Sequence, residues 1–136
     1  MKINKKGFTL VELMLVVIII GVLVAMVAPR LAGRSEQAKI AAARADINAN
    51  LASALDLYEI DNGGYPEKLD DLMVKPANAP DWKGPYLKKR PVDPWGNPYV
   101  YKNPGTHGDY DLMSYGKTGM EGGSDAVTSW DEEKEK

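Results

Sequence analysis

The longest apolar run in the chain constrains its fold more than any other feature. The run LMLVVIIIGVLVAMVA extends from Leu13 to Ala28 without a charged residue. Counted from Phe8, the segment has roughly 20 residues, which is enough to cross a bilayer as a helix. A cleaved secretory signal would have a shorter apolar region that ends at a small-residue site, whereas this run ends at proline. The sequence therefore predicts a retained transmembrane helix over residues 8–28.

Basic residues flank this predicted span on both sides. They are Lys2, Lys5 and Lys6 before it, and Arg30, Arg34 and Lys39 after it. The lysines before the span favour a cytoplasmic N-terminus, because cytoplasmic flanks carry an excess of positive charge. The charges after the span weaken that bias, so it does not decide the orientation by itself.

A carboxylate, Glu12, stands at the edge of the apolar span. A charge at mid-bilayer costs about 2.5–3.5 kcal/mol on insertion scales, and less near the interface. One interpretation is that Glu12 lies at headgroup depth and is tolerated there. If the chain were cut after Gly7, however, Phe8 would carry a free α-amine four residues before Glu12, and residues i and i+4 share a helix face. Glu12 could then pair with that amine, within one subunit or between neighbours.

The stretch GFTLVE, behind the short basic leader MKINKK, resembles the N-terminal motif of type IV pilin-like precursors. The resemblance implies that residues 1–7 are a leader peptide, which a dedicated prepilin peptidase removes by cutting after Gly7. It also implies that the peptidase methylates the new N-terminal Phe8. Glu12 is then the residue with which each subunit docks onto its neighbours.

Composition excludes several other classes of function. The 17 basic and 19 acidic residues give a net charge of -2, which argues against nucleic-acid binding. The chain has no cysteine, so a disulfide framework and a zinc–cysteine site are impossible. Its one histidine, His107, has no partner set for a catalytic triad or metal centre around it in sequence. We therefore interpret His107 as a loop residue and expect no enzyme activity.

An apolar stripe continues the helix beyond the span, over residues 30–61. Its members are spaced by seven, four, four and three residues, which is one helix face: Ile40, Ile47, Leu51, Leu55 and Tyr58. The pattern predicts a half-buried helix over a small core. Pro29 predicts a mild kink, and Asn62-Gly63-Gly64 predicts the helix end.

The remaining residues predict short elements, with a loop region over 62–98 and a sheet over 99–130. Pro66–Val74 could form one short helix that buries Leu69, Leu72 and Met73. Asp93-Pro94-Trp95-Gly96 suits a tight turn anchored by Trp95. Three stretches are typical of antiparallel strands: 99–101, 110–114 and 126–130. The predicted class is α+β, a long helix packed on a three-stranded antiparallel sheet, with a frayed tail at 131–136.

Segments of this C-terminal half resemble, in order, the major pseudopilins of type II secretion. They are Gly64-Tyr65-Pro66, Tyr86-Leu87-Lys88, residues 91–99 (PVDPWGNPY), residues 104–108 (PGTHG), residues 111–116 (DLMSYG) and Gly122-Gly123. The resemblance implies a single-pass inner-membrane protein whose periplasmic domain, residues 29–136, polymerises into a filament that drives export of folded proteins. It implies as partners other copies of the chain, minor pseudopilins, an inner-membrane platform, an assembly ATPase and an outer-membrane secretin. Two alternatives are a type IV pilus subunit and a membrane-tethered periplasmic enzyme or binding module.

The same resemblance implies a calcium site in the glycine-rich stretch from Tyr115 to Asp125. Two aspartates and main-chain oxygens hold the ion in the family, and calcium takes six to eight oxygen ligands. Asp125 matches the second aspartate and the Tyr115 carbonyl matches a main-chain ligand, but Thr118 stands where the first aspartate is expected. Glu121 or Ser124 could compensate. A glycine-rich loop without metal is the alternative.

Overall fold

The computed structural model describes residues 7–131, apart from the side chains of residues 30–32. The first six residues of the predicted leader, and the predicted tail from residue 132 onward, lie outside the described residues. The chain forms two compact units that divide between Gln37 and Ala38.

The helical part begins at Leu10 and runs to Asn62. Helix α1 is Leu10–Ala45 and contains Pro29. A π-helical segment, Asp46–Leu51, follows it, and α2 is Ala52–Asn62. The helix ends where the sequence predicts, because Gly63 adopts a φ of 79°, which favours glycine, and its N–H donates to the carbonyl of Glu59 at 2.7 Å.

The predicted apolar stripe is confirmed, and the π-helical segment explains how it stays on one face. Ala43, Ile47, Leu51 and Leu55 are all buried, at successive steps of four residues. Four residues turn an α-helix about 40° beyond a full turn, so three such steps would rotate the stripe by about 120°. The wider turn of a π-helix removes part of this rotation. The segment therefore keeps the stripe against the core.

The predicted three-stranded antiparallel sheet is confirmed, with shorter strands. Strands β1 (Val100–Lys102), β2 (Asp111–Ser114) and β3 (Val127–Thr128) lie in the order β1-β2-β3. Tyr101 pairs with Leu112, and Ser114 pairs with Val127. Strand β3 ends early because the hydroxyl of Ser129 accepts the N–H of Leu112 at 3.1 Å, in place of a backbone carbonyl.

The helix predicted over Pro66–Val74 is wrong in extent, since only a 3₁₀ turn forms, Leu69–Leu72. Leu72 is buried as expected, whereas Leu69 and Met73 are only half-buried. The reason lies at the start of the segment. The Pro66 carbonyl, which would accept an N–H in the first turn of an α-helix, accepts the Tyr101 hydroxyl at 2.9 Å and the Asn103 side-chain amide at 3.0 Å instead. Lys68 has an extended backbone, with a φ of -149°, so the helical turn begins only at Leu69.

The predicted tight turn, Asp93–Gly96, forms and carries a buried carboxylate. The Gly96 N–H donates to the Asp93 carbonyl at 2.9 Å. Asp93 is only 3% exposed, and its Oδ1 accepts the backbone N–H groups of Trp95 and Asn97 at 3.1 and 2.8 Å. Its Oδ2 accepts the hydroxyl of Ser114 at 2.6 Å. Asp93 thus joins the turn to the end of β2.

A second buried carboxylate, Asp111, fastens the connection between β1 and β2. It accepts the N–H groups of Thr106 and His107 at 2.9 and 3.0 Å, and the Nδ1 atom of His107 lies 3.1 Å from its Oδ2. The His107 ring also stacks on Trp130, with centroids 4.0 Å apart. His107 is therefore a loop residue, as predicted, that ties the loop to the segment after β3. Burial raises the pKa of Asp111, but the donors from Thr106 and His107 outweigh it and hold that pKa below its usual range.

Acid should therefore weaken this part of the fold. A carboxyl whose folded pKa is depressed adds stability above its unfolded pKa of about 3.9, and that stability is lost as the pH falls through the folded pKa. We expect Asp111→Asn to lower the melting temperature at neutral pH but to lose less further stability than the wild type on acidification. Circular dichroism melts across the acid range check this, with the exposed Asp109→Asn as control. Equal acid sensitivity of Asp111→Asn and the wild type would contradict it.

Candidate processing and assembly site

The predicted cleavage site precedes the first helix. Gly7 and Phe8 lie ahead of Leu10, the first residue of α1. Phe8 is 81% exposed, and a Cβ added at Gly7 would meet nothing within 4 Å among the described residues. Exposed, non-helical backbone is where a peptidase can bind a chain in extended form. The local structure around the Gly7–Phe8 bond is thus compatible with cleavage.

The Glu12 side chain closes a hydrogen-bonded cap at the start of α1. Its Oε2 accepts the Thr9 N–H at 2.9 Å and the Thr9 hydroxyl at 3.0 Å. In return, the Thr9 Oγ1 accepts the Glu12 N–H at 3.2 Å. Thr9 is the residue just before the helix and Glu12 the third within it, so the pair forms a capping box.

This cap gives Glu12 a structural role that the sequence reasoning missed. The signal was present, because Thr-x-x-Glu before an apolar run is the sequence signature of a capping box. The box satisfies two backbone N–H groups that the first turn of a helix leaves without partners. A negative charge near a helix N-terminus is also favourable. In the uncut chain Glu12 is therefore held by Thr9, and the predicted pairing with the Phe8 amine stays a prediction.

The first unit presents an apolar helix surface. Among the described residues, one helical segment contains a stretch long and apolar enough to cross a membrane, by length and composition. Large apolar side chains are exposed along it from Phe8 to Val27, each by 43% or more. Glu12 lies at the start of this surface.

The three residues of the predicted calcium site lie in one loop, residues 115–126, which we call the glycine loop. The Thr118 hydroxyl donates to the Tyr115 carbonyl at 3.4 Å. The Asp125 carboxylate accepts the Ser124 hydroxyl at 3.3 Å. Tyr115 and Thr118 are thus brought together, and the glutamate of the loop, Glu121, is exposed.

The donor set of the glycine loop does not fit a dedicated calcium site. The loop offers the half-buried carboxylate of Asp125, whereas calcium sites draw their affinity from several charged oxygens. At the position expected to supply a second charge, Thr118 has a neutral hydroxyl that already binds the Tyr115 carbonyl.

Two family models match the chain, and together they span most of it. The model described as type II secretion system (T2SS), protein G, matches residues 30–130. The model described as prokaryotic N-terminal methylation motif matches residues 2–28, which include Gly7, Phe8 and Glu12.

Characterised relatives and a solved structure agree with these models. The chain is 50% identical to the type II secretion system core protein G of Pseudomonas aeruginosa, over 94% of this chain and 96% of that one. It is 45% identical to the core protein G of Escherichia coli K12, over 98% and 96%. The crystal structure of the major pseudopilin from enterohaemorrhagic Escherichia coli matches 75% of this chain and 95% of that one, with a TM-score of 0.64 and 34% identity. The chain therefore belongs to the type II secretion system protein G family, the family of the major pseudopilins.

Proposed function

We propose that this chain is the major structural subunit of a periplasmic pseudopilus and that it works by polymerising. The observation that carries the proposal is the exposed apolar surface of α1, which begins at Phe8 and has the capped Glu12 at its start. Apolar side chains of this kind must be covered by lipid or by protein. Lipid covers them in the membrane-inserted subunit, and the helices of neighbouring copies cover them in the filament.

Processing at Gly7 prepares the subunit for assembly. The prepilin peptidase cuts after Gly7 and methylates Phe8, whose amine then stands next to Thr9 in the capping box. In the capping box, Oε2 of Glu12 accepts both the N–H and the hydroxyl of Thr9. The carboxylate has a second oxygen with which it can accept an N–H from an amine, its own or a neighbour's. Pairing of the two charges removes the cost of placing either of them alone among apolar helices.

The apolar helix near the start of the chain and the lysines before it support a membrane topology for the subunit. We propose a single-pass inner-membrane protein whose N-terminus is cytoplasmic before cleavage and whose domain, residues 29–136, is periplasmic. Its partners are other copies of itself, the minor pseudopilins, the inner-membrane platform with its assembly ATPase, and the outer-membrane secretin. In this proposal the chain does mechanical work and catalyses no reaction. The type IV pilus alternative is disfavoured, because the model that matches residues 30–130 is that of protein G.

Mass spectrometry of the mature protein tests the proposal. We expect the chain to begin at Phe8 with one methyl group on its amine, because the peptidase cuts and methylates at the same site. Gly7→Val should retain the leader and accumulate uncut. Gly21→Ala is the matched control, since an added Cβ at Gly21 meets nothing within 4 Å, and it should be processed normally. An intact Met1 in the filament-forming wild type would refute the proposed processing.

A further inference from the structure

We infer that the glycine loop closes without a bound cation, and that Thr118 holds it shut through its own contacts. The inference goes beyond the proposed function and does not depend on it. The inference rests on two contacts across the loop, on a series of backbone hydrogen bonds and on the charges of the loop.

The first contact joins the two ends of the loop, at Gly116 and Asp125. A Cβ added to Gly116 would lie 2.2 Å from the carbonyl oxygen of Asp125 and 2.7 Å from its carbonyl carbon. Gly116 also adopts a φ of +70°, which L side chains rarely adopt. The two backbone segments are therefore in direct contact, and only glycine permits the approach.

The second contact lies further into the loop, between Thr118 and Gly123. A Cβ added to Gly123 would lie 2.6 Å from the Thr118 Oγ1, so this hydroxyl packs directly on the glycine backbone. The same hydroxyl donates to the Tyr115 carbonyl at 3.4 Å. Thr118 therefore touches both sides of the loop, and it occupies the place where the first aspartate of a calcium site is expected.

Backbone hydrogen bonds turn the chain between these contacts. Three N–H groups each donate to a carbonyl three residues earlier. These bonds are Gly119 to Gly116 at 3.3 Å, Gly123 to Met120 at 3.3 Å, and Ala126 to Gly123 at 3.2 Å. The start of the loop is anchored as well, because the Gly116 N–H donates to the buried Ser114 hydroxyl at 3.0 Å. Each turn of the loop thus has an internal bond.

The charges of the loop disfavour a dication. Its acidic side chains are Glu121, which is exposed, and the half-buried Asp125, whereas Lys117, the residue before Thr118 in the chain, adds an exposed positive charge to the loop. Calcium affinity depends strongly on how many charged ligands a site has. A neutral hydroxyl at position 118, in a loop that also carries a lysine, therefore attracts a dication less than the expected aspartate would.

Thermal unfolding of the full-length chain in detergent micelles tests the inference. The melting temperature of the wild type should be the same in millimolar calcium chloride and in EGTA. Thr118→Asp restores the second carboxylate, so its melting temperature should rise with calcium but not with magnesium, which demands a stricter octahedral geometry. Thr118→Ala should melt below the wild type by the same amount with and without calcium, while Thr118→Ser keeps the hydroxyl and should melt close to the wild type.

Each result bears on the inference separately. A wild-type melting temperature that rises with calcium would overturn it. A Thr118→Ala variant as stable as the wild type, or a Thr118→Asp variant that ignores calcium, would remove the role assigned to Thr118. The readout is independent of polymerisation, so failure of the proposed filament function would leave these results unchanged.

Discussion

Replacing Asp93 with alanine is expected to lower the free energy of unfolding of the domain by about 3–5 kcal/mol. The substitution removes the acceptor of three donors: the N–H groups of Trp95 and Asn97 and the hydroxyl of Ser114. A buried polar group left without a partner costs about 1–3 kcal/mol. Ser114 is fully buried, so its hydroxyl has no access to water. Since a small domain has a total stability of about 5–15 kcal/mol, this is a large part of it.

Melts of the full-length chain in detergent measure the loss, which should exceed about 10 °C in melting temperature. Asp93→Asn separates the contributions, because its amide oxygen still accepts the two N–H groups whereas its NH₂ group cannot accept the Ser114 hydroxyl. We expect an intermediate melting temperature for it. Asp81→Ala, at an exposed aspartate of the preceding loop, is the control and should melt like the wild type. An Asp93→Asn variant as stable as the wild type would show that the Ser114 contact contributes nothing.

Replacing Glu12 with alanine is expected to abolish filament assembly while membrane insertion survives. Insertion depends on the apolar run from Leu13 to Ala28, which the substitution leaves unchanged, whereas in the proposed assembly Glu12 is the partner of the Phe8 amine. An unpaired charge among apolar helices costs about 2.5–3.5 kcal/mol at mid-bilayer, which corresponds to about two orders of magnitude in an association constant. Electron microscopy of filaments and fractionation of membranes measure the two properties separately.

Glu12→Gln distinguishes the charge of Glu12 from its role in the cap. Glutamine is also an accepted third residue of a capping box, so this variant keeps an acceptor for the Thr9 N–H but loses the charge. We expect it to fail in assembly as alanine does. Thr9→Ser retains the hydroxyl of the cap and should assemble, which makes it the matched control. Normal filaments from Glu12→Gln would mean that the cap, rather than charge pairing, is what assembly needs.

The helical half of the fold could be predicted from the sequence because its signals are local. The apolar run, the stripe from Ile40 to Tyr58 and the glycine after Asn62 each act within a few residues of the structure they specify. The same holds for the turn at Asp93 and for the position of the three strands. The helix predicted over Pro66–Val74 was wrong in extent, because the Pro66 carbonyl binds Tyr101 and Asn103 instead of an N–H of a first helical turn. Nothing in the residues of that segment signals these later partners.

The candidate site and the long-range contacts of the domain differ in the same way: the site could be predicted from local sequence, and the contacts could not. The processing motif is contiguous, so the sequence alone indicates Gly7, Phe8 and Glu12. The Thr9–Glu12 cap could also have been predicted, because Thr-x-x-Glu is the signature of a capping box. The contact between Asp93 and Ser114 joins residues 21 apart, and the one between Asp46 and Tyr99 joins residues 53 apart at 3.0 Å. Such pairs leave no periodic or local trace, so the sequence could not predict them.

The sequence alone determined the class of this chain: an apolar N-terminal helix with a processing motif, followed by a small α+β domain. Hydrophobic periodicity and contiguous motifs carry that information, since burial and cleavage act on neighbouring residues. The tertiary structure decided what holds the domain together, namely the buried Asp93 and the closure of the glycine loop by Thr118 against Gly123. The contact between Asp93 and Ser114 exists only once segments 21 residues apart have packed. The contact of Thr118 with Gly123 is local, but it depends on the exact path of the loop backbone, which no sequence motif specifies.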